Sequence, residues 1–495
     1  MGLAIKRDSF SAQEHREFSR RIRASLKVLD EMINSPDFGY GQGSFGAELE
    51  VYLVDKQGQA AWVAEQILAS NKDSRLTHEL NQYNLEYNLS PVAASGEPFT
   101  AMANEMSGAI VQLANTTDKY EVQPVAIGIL PTLSPGDIDS SAITDRPRYR
   151  ALSRGLSDLR GGPFNIHIDG QEPLAFSCDD VSVEGANTSL QVHWRVNPDE
   201  FVSVFNAVQL VSPLVLSLAS NSPFLLGHVL WEETRVAVFK QSIDHRHDDE
   251  KWRIPTRVPF GFGWLRHSPI ELFKQSVALY PPLLPVLGEE DSEAVWRGGG
   301  IPRLDELRMH QGTIWPWNRA IYDSADGGHL RIEMRSLPAG PTVPDMVANA
   351  ALTIGLAYGL RNNIEEMLPA LPFQYAEQNF YRTARLGIDA TVLWPRGNYG
   401  GPEEKAVLDI VCELLPIAEL GLQELGVASE EARRYLNVIK QRIEARQTGA
   451  SWQRNMLSSY EKSGLSRPEA LSAVLLAYQR EFSRGVPVSE WAEKI

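Results

Sequence analysis

The chain has 495 residues, 43% of them hydrophobic and 22% charged, with 63 acidic against 47 basic side chains, a formal net charge of −16 and two cysteines. This composition excludes a disordered tail, a collagen-like repeat and a disulfide-stapled secreted module, and leaves room for one large domain or two unequal ones. The negative field repels polyanions at long range, so nucleic acid and anionic membranes are not expected partners, although a local arginine cluster or a bound cation can still create a pocket for a small anion.

The first twenty residues carry Arg7, Asp8, Glu14, His15, Arg16 and Glu17 where a secretory signal would be apolar. Cys178 and Cys412 have no C-x-x-C spacing. Both features point to a cytoplasmic protein. Phe18, Ile22, Leu26, Leu29, Met32 and Ile33 recur at helical spacing and predict an amphipathic helix over residues 11–33. A glycine-rich loop from Asn34 to Gly46 leads into a strand, residues 47–55. Ala47, Leu49, Val51 and Leu53 share one face of it, and Glu48, Glu50 and Tyr52 the other.

The same design recurs three times. Residues 83–89 place Asn84, Glu86 and Asn88 on one face, residues 189–196 place Gln191, His193 and Arg195, and residues 330–335 place Arg331, Glu333 and Arg335. Helices are expected near 98–119, 198–220 and 343–361, the last two starting near Asn197-Pro198 and Pro344-Asp345. The apolar stretch Val208 to Leu230 is interrupted by Gln209, Pro213, Asn221, Pro223 and His228, and reads as a buried helix rather than a membrane span.

From about Gly400 the pattern becomes helical only, with Ser466, Pro468 and Glu469 forming a helix start. The fold class is therefore α+β: a largely antiparallel sheet, helices on one face and a polar cavity on the other, plus a C-terminal helical extension. Residues 1–395 are expected to form the main α+β domain, with residues 396–495 packed on it.

Glu48, Glu50, Glu86 and Glu333 on the wet face of one sheet would supply the oxygen ligands that magnesium prefers, with His193 as a ligand or a hydrogen-bonding group. Four such charges in one cavity call for a cation unless their pKa values shift strongly. Arg195, Arg319, Arg331 and Arg335 add planar, multi-donor positive charge suited to phosphate or carboxylate. Carboxylates for a metal beside arginines for anions are what phosphoryl transfer requires. No Walker-type, G-x-G-x-x-G, H-E-x-x-H or G-x-S-x-G signature is present. The His245-Arg246-His247-Asp248-Asp249-Glu250 cluster reads as an exposed loop, and Cys178 beside Asp179 and Asp180 has no feature that would stabilise a thiolate.

Several ordered segments resemble the carboxylate-amine ligase family that includes the plant and bacterial type of glutamate-cysteine ligase. They are Gly46-Ala47-Glu48-Leu49-Glu50, Leu85-Glu86, Gln191-Val192-His193, Leu218-Ala219-Ser220-Asn221-Ser222-Pro223-Phe224, Thr313 through Arg319, and Ile332-Glu333-Met334-Arg335, which together span roughly residues 40–380. The resemblance implies a glutamine-synthetase-like fold whose sheet forms a funnel, and use of ATP with Mg2+. It implies a metal site of Glu48, Glu50, Glu86, His193 and Glu333, with Glu48, Glu86, His193 and Arg335 at the nucleotide phosphates. Arg335 would act near the transferred phosphate, and Arg319 as a further phosphate or carboxylate contact.

The implied reaction makes an amide through an acyl phosphate. L-glutamate and L-cysteine are the default substrates, as in glutathione biosynthesis, and another amino acid or amine stays open. The rival readings are a phosphotransferase acting on an amine or guanidine and a non-catalytic scaffold that retains the fold. A monomer and a homodimer are both compatible with the sequence. The stretch Tyr87-Asn88-Leu89-Ser90-Pro91 departs from the family's usual threonine-containing turn, and the 400–495 extension has no secure counterpart in its short members.

Overall fold

The computed structural model describes residue 5, residues 7–396 and residues 400–492. The fold is built around an eight-stranded sheet. Its main order is Asn318–Asp323, His329–Met334, Leu190–Arg195, Ser44–Asp55, Asn84–Asn88, Leu76–His78, and the two ends of Ser44–Asp55 also pair with Val92–Ala93 and Val122–Val125. Every pairing within this sheet is antiparallel. The central strand begins at Ser44, inside the segment expected as loop, because Phe45 continues the apolar alternation and is fully buried with Ala47, Leu49, Val51 and Leu53.

That apolar face meets the helices. Phe45 stacks on Phe99 of helix Pro98–Thr117 and meets Trp194 edge-on, and Trp194 in turn contacts Tyr358 of helix Val343–Leu360. The expected N-terminal helix is Ala12–Ile33, started by a capping box in which the Ser11 N–H donates to the Glu14 carboxylate at 2.8 Å. Helix Val343–Leu360 starts as its sequence suggests, with the Thr342 hydroxyl capping Asp345 and a proline in the first turn. The helix expected near Asn197-Pro198 begins three residues later, at Phe201.

Phe201–Ala219 and Val343–Ala370 are long and apolar enough to cross a membrane, but 89% and 78% of their apolar windows are buried inside the protein. They form the centre of the core.

The C-terminal part corrects one expectation. Pro402–Ala406 is a strand paired with Thr391–Pro395, so the purely helical region starts at Val407. The hairpin formed by these two strands straddles the expected boundary at residue 396. Four helices follow: Val407–Glu424, Ser429–Ala445, Gly449–Lys462 and Arg467–Arg484. The first crosses Val343–Leu360 at backbone contact, since a Cβ on Gly421 would lie 2.2 Å from the Gly355 carbonyl oxygen and 2.6 Å from the Gly359 nitrogen. Any side chain there would force the helices apart. The last helix carries the expected start, with the Ser466 N–H and hydroxyl both donating to Glu469 at 2.9 and 2.6 Å.

Candidate active site

Side chains on alternate positions of a strand share a face, and register then decides which of them meet across strands. Here register joins the four polar patterns. Arg319 is opposite Glu333, Glu333 opposite His193, Glu48 opposite both Gln191 and Asn88, and Glu50 opposite Glu86. Glu48, Glu50, Glu86, His193, Arg319, Glu333 and Arg335 all line one cavity of about 820 Å³. The sequence-expected residues are therefore neighbours in space.

Two acidic groupings stand side by side. In the first, His193 Nε2 lies 3.2 Å from Glu48 Oε1 and 3.8 Å from Glu333 Oε1, yet both ring nitrogens are buried without a hydrogen bond. The second consists of Glu50, Glu79 and Glu86. Within each trio, one ligand atom per residue lies within 4.8 Å of the others. A buried imidazole with unsatisfied nitrogens facing carboxylates, beside an all-oxygen trio, is a donor set that fits hard divalent cations.

The arginines are bound to this acidic floor. Arg319 grips Glu333 with both arms of its guanidinium, Nε to Oε2 at 2.7 Å and Nη2 to Oε1 at 3.0 Å, and donates to the Gln311 and Ile314 carbonyls. Arg335 donates to Gln191 Oε1 and lies 3.2 Å from Glu333 Oε2. Gln191 passes the contact on, its Nε2 donating to Glu50 Oε1 at 3.0 Å, while the Ser189 N–H donates to Glu50 Oε2 at 2.7 Å. Glu86 accepts from Thr77 at 3.2 Å and from Asn88 at 2.8 Å.

Electrostatics divide the carboxylates. Burial would raise Glu333, but Arg319, Arg335 and His193 hold it well below the usual carboxylate range. Glu48 is also lowered, burial being outweighed by His193. Burial pushes Glu86 up to about 8, helped by Glu48 and Glu50, and it raises Glu50 and Glu79 as well. Glu184, another wall residue, is pushed up to about 8 by burial and by Glu50. The second trio thus resists carrying its full negative charge on its own.

Arg195 is not part of this cavity. It lines a smaller pocket with Gly43, Asn197 and Glu200, and its guanidinium binds the Tyr40 carbonyl and Asp326. It shares a face with His193 by alternation, but its side chain ends in this neighbouring pocket. Arg331 does line the cavity and pairs with Asp323 at 3.3 Å. The His245 cluster is only partly the exposed loop expected. His247, Asp248 and Asp249 are exposed, whereas His245 is buried and its pKa is pushed down to about 4 by burial and by Arg257.

Sequence reasoning missed Glu79 and Glu184. Glu79 follows a strand of three residues, Leu76–His78, too short to show alternation, and Glu184 sits on the single 3-10 turn Glu184–Ala186. No periodic signal marks either residue. Gln191 was visible on the polar face, but its link between Arg335 and Glu50 depends on register.

Residues 44–261 match the family model described as glutamate-cysteine ligase family 2 (GCS2). Among curated proteins, one from Frankia alni with the provisional name glutamate–cysteine ligase 2-1 is 24% identical over 76% of this chain and 82% of its own length. A Thermobifida fusca protein provisionally named glutamate–cysteine ligase 2 is 22% identical over 90% of this chain and 92% of its own. In three dimensions, the glutamate-cysteine ligase of Francisella tularensis in complex with AMP superposes with a TM-score of 0.55 at 12% identity, covering 90% of each chain. Matched segment, long relatives and shared architecture agree: residues 44–261 carry the pattern of glutamate-cysteine ligase family 2, and the chain shares the fold of the Francisella tularensis enzyme.

Proposed function

We propose that this protein is an ATP- and Mg2+-dependent carboxylate-amine ligase that forms an amide through an acyl phosphate, with L-glutamate and L-cysteine as default substrates. One observation carries the reading: two acidic trios share a single cavity with Arg319 and Arg335. Glu48, His193 and Glu333 would hold one cation and Glu50, Glu79 and Glu86 another. The cations would supply charge neutralisation at the phosphates.

The chain's own residues do the rest. ATP is a consumed substrate, and Arg335, fixed between Gln191 and Glu333, is placed to stabilise charge on the transferred phosphoryl group. A substrate carboxylate attacks the γ-phosphorus and releases ADP. The amine then attacks the acyl carbonyl and phosphate leaves, so each turnover yields one amide, one ADP and one phosphate. Arg319 keeps Glu333 ionised and oriented. The sheet's polar face acts as the funnel that admits the substrates, residues 1–395 as the catalytic unit and residues 396–495 as an extension packed on it. A cytoplasmic setting belongs to the proposal, supported by the two free cysteines.

Titration calorimetry with ATP and magnesium tests the site: Glu48→Ala and Glu50→Ala should each weaken binding at least about tenfold, the equivalent of 1.4 kcal/mol. Undiminished binding by both variants removes the metal assignment. A mass-spectrometric screen of amino-acid and amine pairs should show a condensed product with loss of water. A phosphorylated acceptor without free phosphate would instead establish a phosphotransferase, and absence of both product and ADP would move weight to the scaffold reading.

A further inference from the structure

Asn221, Ser222 and Pro223 lie outside the cavity wall, yet three of the four extension helices, Ser429–Ala445, Gly449–Lys462 and Arg467–Arg484, reach the turn they form or the helix end just before it. Arg442 donates to the Leu218 carbonyl at 3.0 Å, and the Ala450 N–H donates to the Ser220 carbonyl at 2.9 Å. Gln453 Nε2 donates to Asn221 Oδ1 at 2.9 Å, and Asn221 Nδ2 donates to the Tyr478 hydroxyl oxygen and to the Ala339 carbonyl, both at 2.8 Å. Tyr478 in turn donates to the Ala126 carbonyl at 2.8 Å. The packing leaves no slack: a Cβ on Gly449 would lie 2.0 Å from Asn221 Oδ1, and one on Gly340 would lie 2.3 Å from the Tyr478 hydroxyl.

From Asn221 the contacts run towards the cavity. Its N–H donates to Glu233 Oε2 at 2.8 Å and the Ser222 hydroxyl donates to Glu233 Oε1 at 2.7 Å. Arg235 Nε donates to Glu233 Oε1 at 2.6 Å, and Arg235 Nη2 to the carbonyl of Ser336, the residue after Arg335, at 2.7 Å. Residues 337–339 continue beside the strand that carries Gln191 and His193, the Leu190 N–H donating to the Leu337 carbonyl and the Ala339 N–H to the Thr188 carbonyl. Glu233 and Arg235 are 0% and 3% exposed. A buried ion pair is a poor device for stability alone, because its desolvation offsets its attraction, whereas a fully satisfied polar network fixes geometry.

We propose that the helical extension is a working part of the site: through Asn221, Glu233 and Arg235 it holds Ser336, and thereby positions Arg335. The three are positioning residues and touch no substrate. The inference rests on the ligase reading, because Arg335 is there the group at the transferred phosphate. Its consequence is selective: loosening Arg335 weakens the hold on ATP and on turnover, and leaves ADP, which lacks the γ-phosphate, bound as before.

The test compares Tyr478→Phe, which removes one hydroxyl, and Arg235→Lys, which keeps the charge but cannot span Glu233 and Ser336 together, with wild type. Both are full-length, titrated calorimetrically with Mg-ATP and Mg-ADP and assayed for phosphate release. Each variant should lower the ATP-to-ADP affinity ratio about threefold to tenfold and reduce kcat to a similar degree, the scale of one lost hydrogen bond. Ser466→Ala, in the same extension but outside this network, should change neither. Folded variants with a wild-type affinity ratio and kcat overturn the inference, as does a loss of ATP and ADP binding in equal proportion. Failure of wild type to bind Mg-ATP overturns the ligase reading itself, and this inference with it.

Discussion

Glu50 and Glu86 are direct cross-strand partners in the antiparallel pair formed by Ser44–Asp55 and Asn84–Asn88. Like charges placed opposite one another destabilise a sheet, and burial increases the cost. Two glutamates at this position, with Glu79 beside them, are tolerable when they are protonated or when a cation lies between them.

That relationship fixes a pH dependence. Burial raises Glu86 from the ordinary 4.5 to about 8, and Glu50 and Glu79 also shift upward. Between those values the folded chain keeps protons that the unfolded chain has released. Stability from Glu86 is therefore complete below about pH 4.5 and is lost as pH rises through about 8, by about 1.4 kcal/mol per pH unit at most, and Glu50 and Glu79 act in the same direction. Glu48 and Glu333 are lowered, so their contribution is lost in the opposite direction, on acidification below the ordinary carboxylate range. Thermal unfolding in a chelator should show a midpoint that falls between about pH 5.5 and 8.5, and excess magnesium should flatten the fall. A midpoint that stays level in the chelator counts against the crowded trio, and Glu86→Gln should make the decline shallower.

Arg319 and Glu333 form a two-pronged pair, which a lysine cannot reproduce because it is a point charge on a flexible stem. Arg319→Lys should fold, keep the net charge and lose about tenfold to a hundredfold in ADP production, the equivalent of about 1.4 to 3 kcal/mol. Wild-type turnover in this variant would mean that one charge is enough at this place.

Arg442 and Asp345 are 1% and 0% exposed and lie 2.7 Å apart, joining the extension to helix Val343–Leu360. Removing one partner leaves the other charge buried and alone. Arg442→Met or Asp345→Asn should therefore cost about 3–5 kcal/mol in denaturant unfolding. Replacing both together with apolar residues should cost markedly less, and a double variant as damaged as either single one would show that the loss lies elsewhere.

Ser466 caps helix Arg467–Arg484 at an exposed position. Ser466→Ala should lower stability by about 1 kcal/mol with no change in activity, as read by the unfolding midpoint and phosphate release on one preparation.

The parts of the site legible in the sequence are those written in a strand's two-residue period. Glu48 and Glu50, Glu86, His193, and Glu333 with Arg335 each stand on the polar side of an alternating segment, and their residue types suit metal and phosphate chemistry. Glu79 and Glu184 are half-buried in the same cavity wall but stand on a short strand's end and a single turn, where no period exists to show their direction. Arg195 shows the converse, because alternation assigns it a face but does not say which pocket along that face its side chain enters.

By itself the sequence determined which side chains could share a face, since alternation and helical spacing are local properties of the backbone. Strand register is not local. Placing Glu333 opposite His193 and Glu50 opposite Glu86 depends on how segments up to 140 residues apart align, and only the packed core decides that alignment. The same holds for the route from Tyr478 through Asn221 to Arg235. Its hydrogen bonds join parts of the chain with no common period, and they exist because burial leaves each polar group only the partners that the fold brings to it.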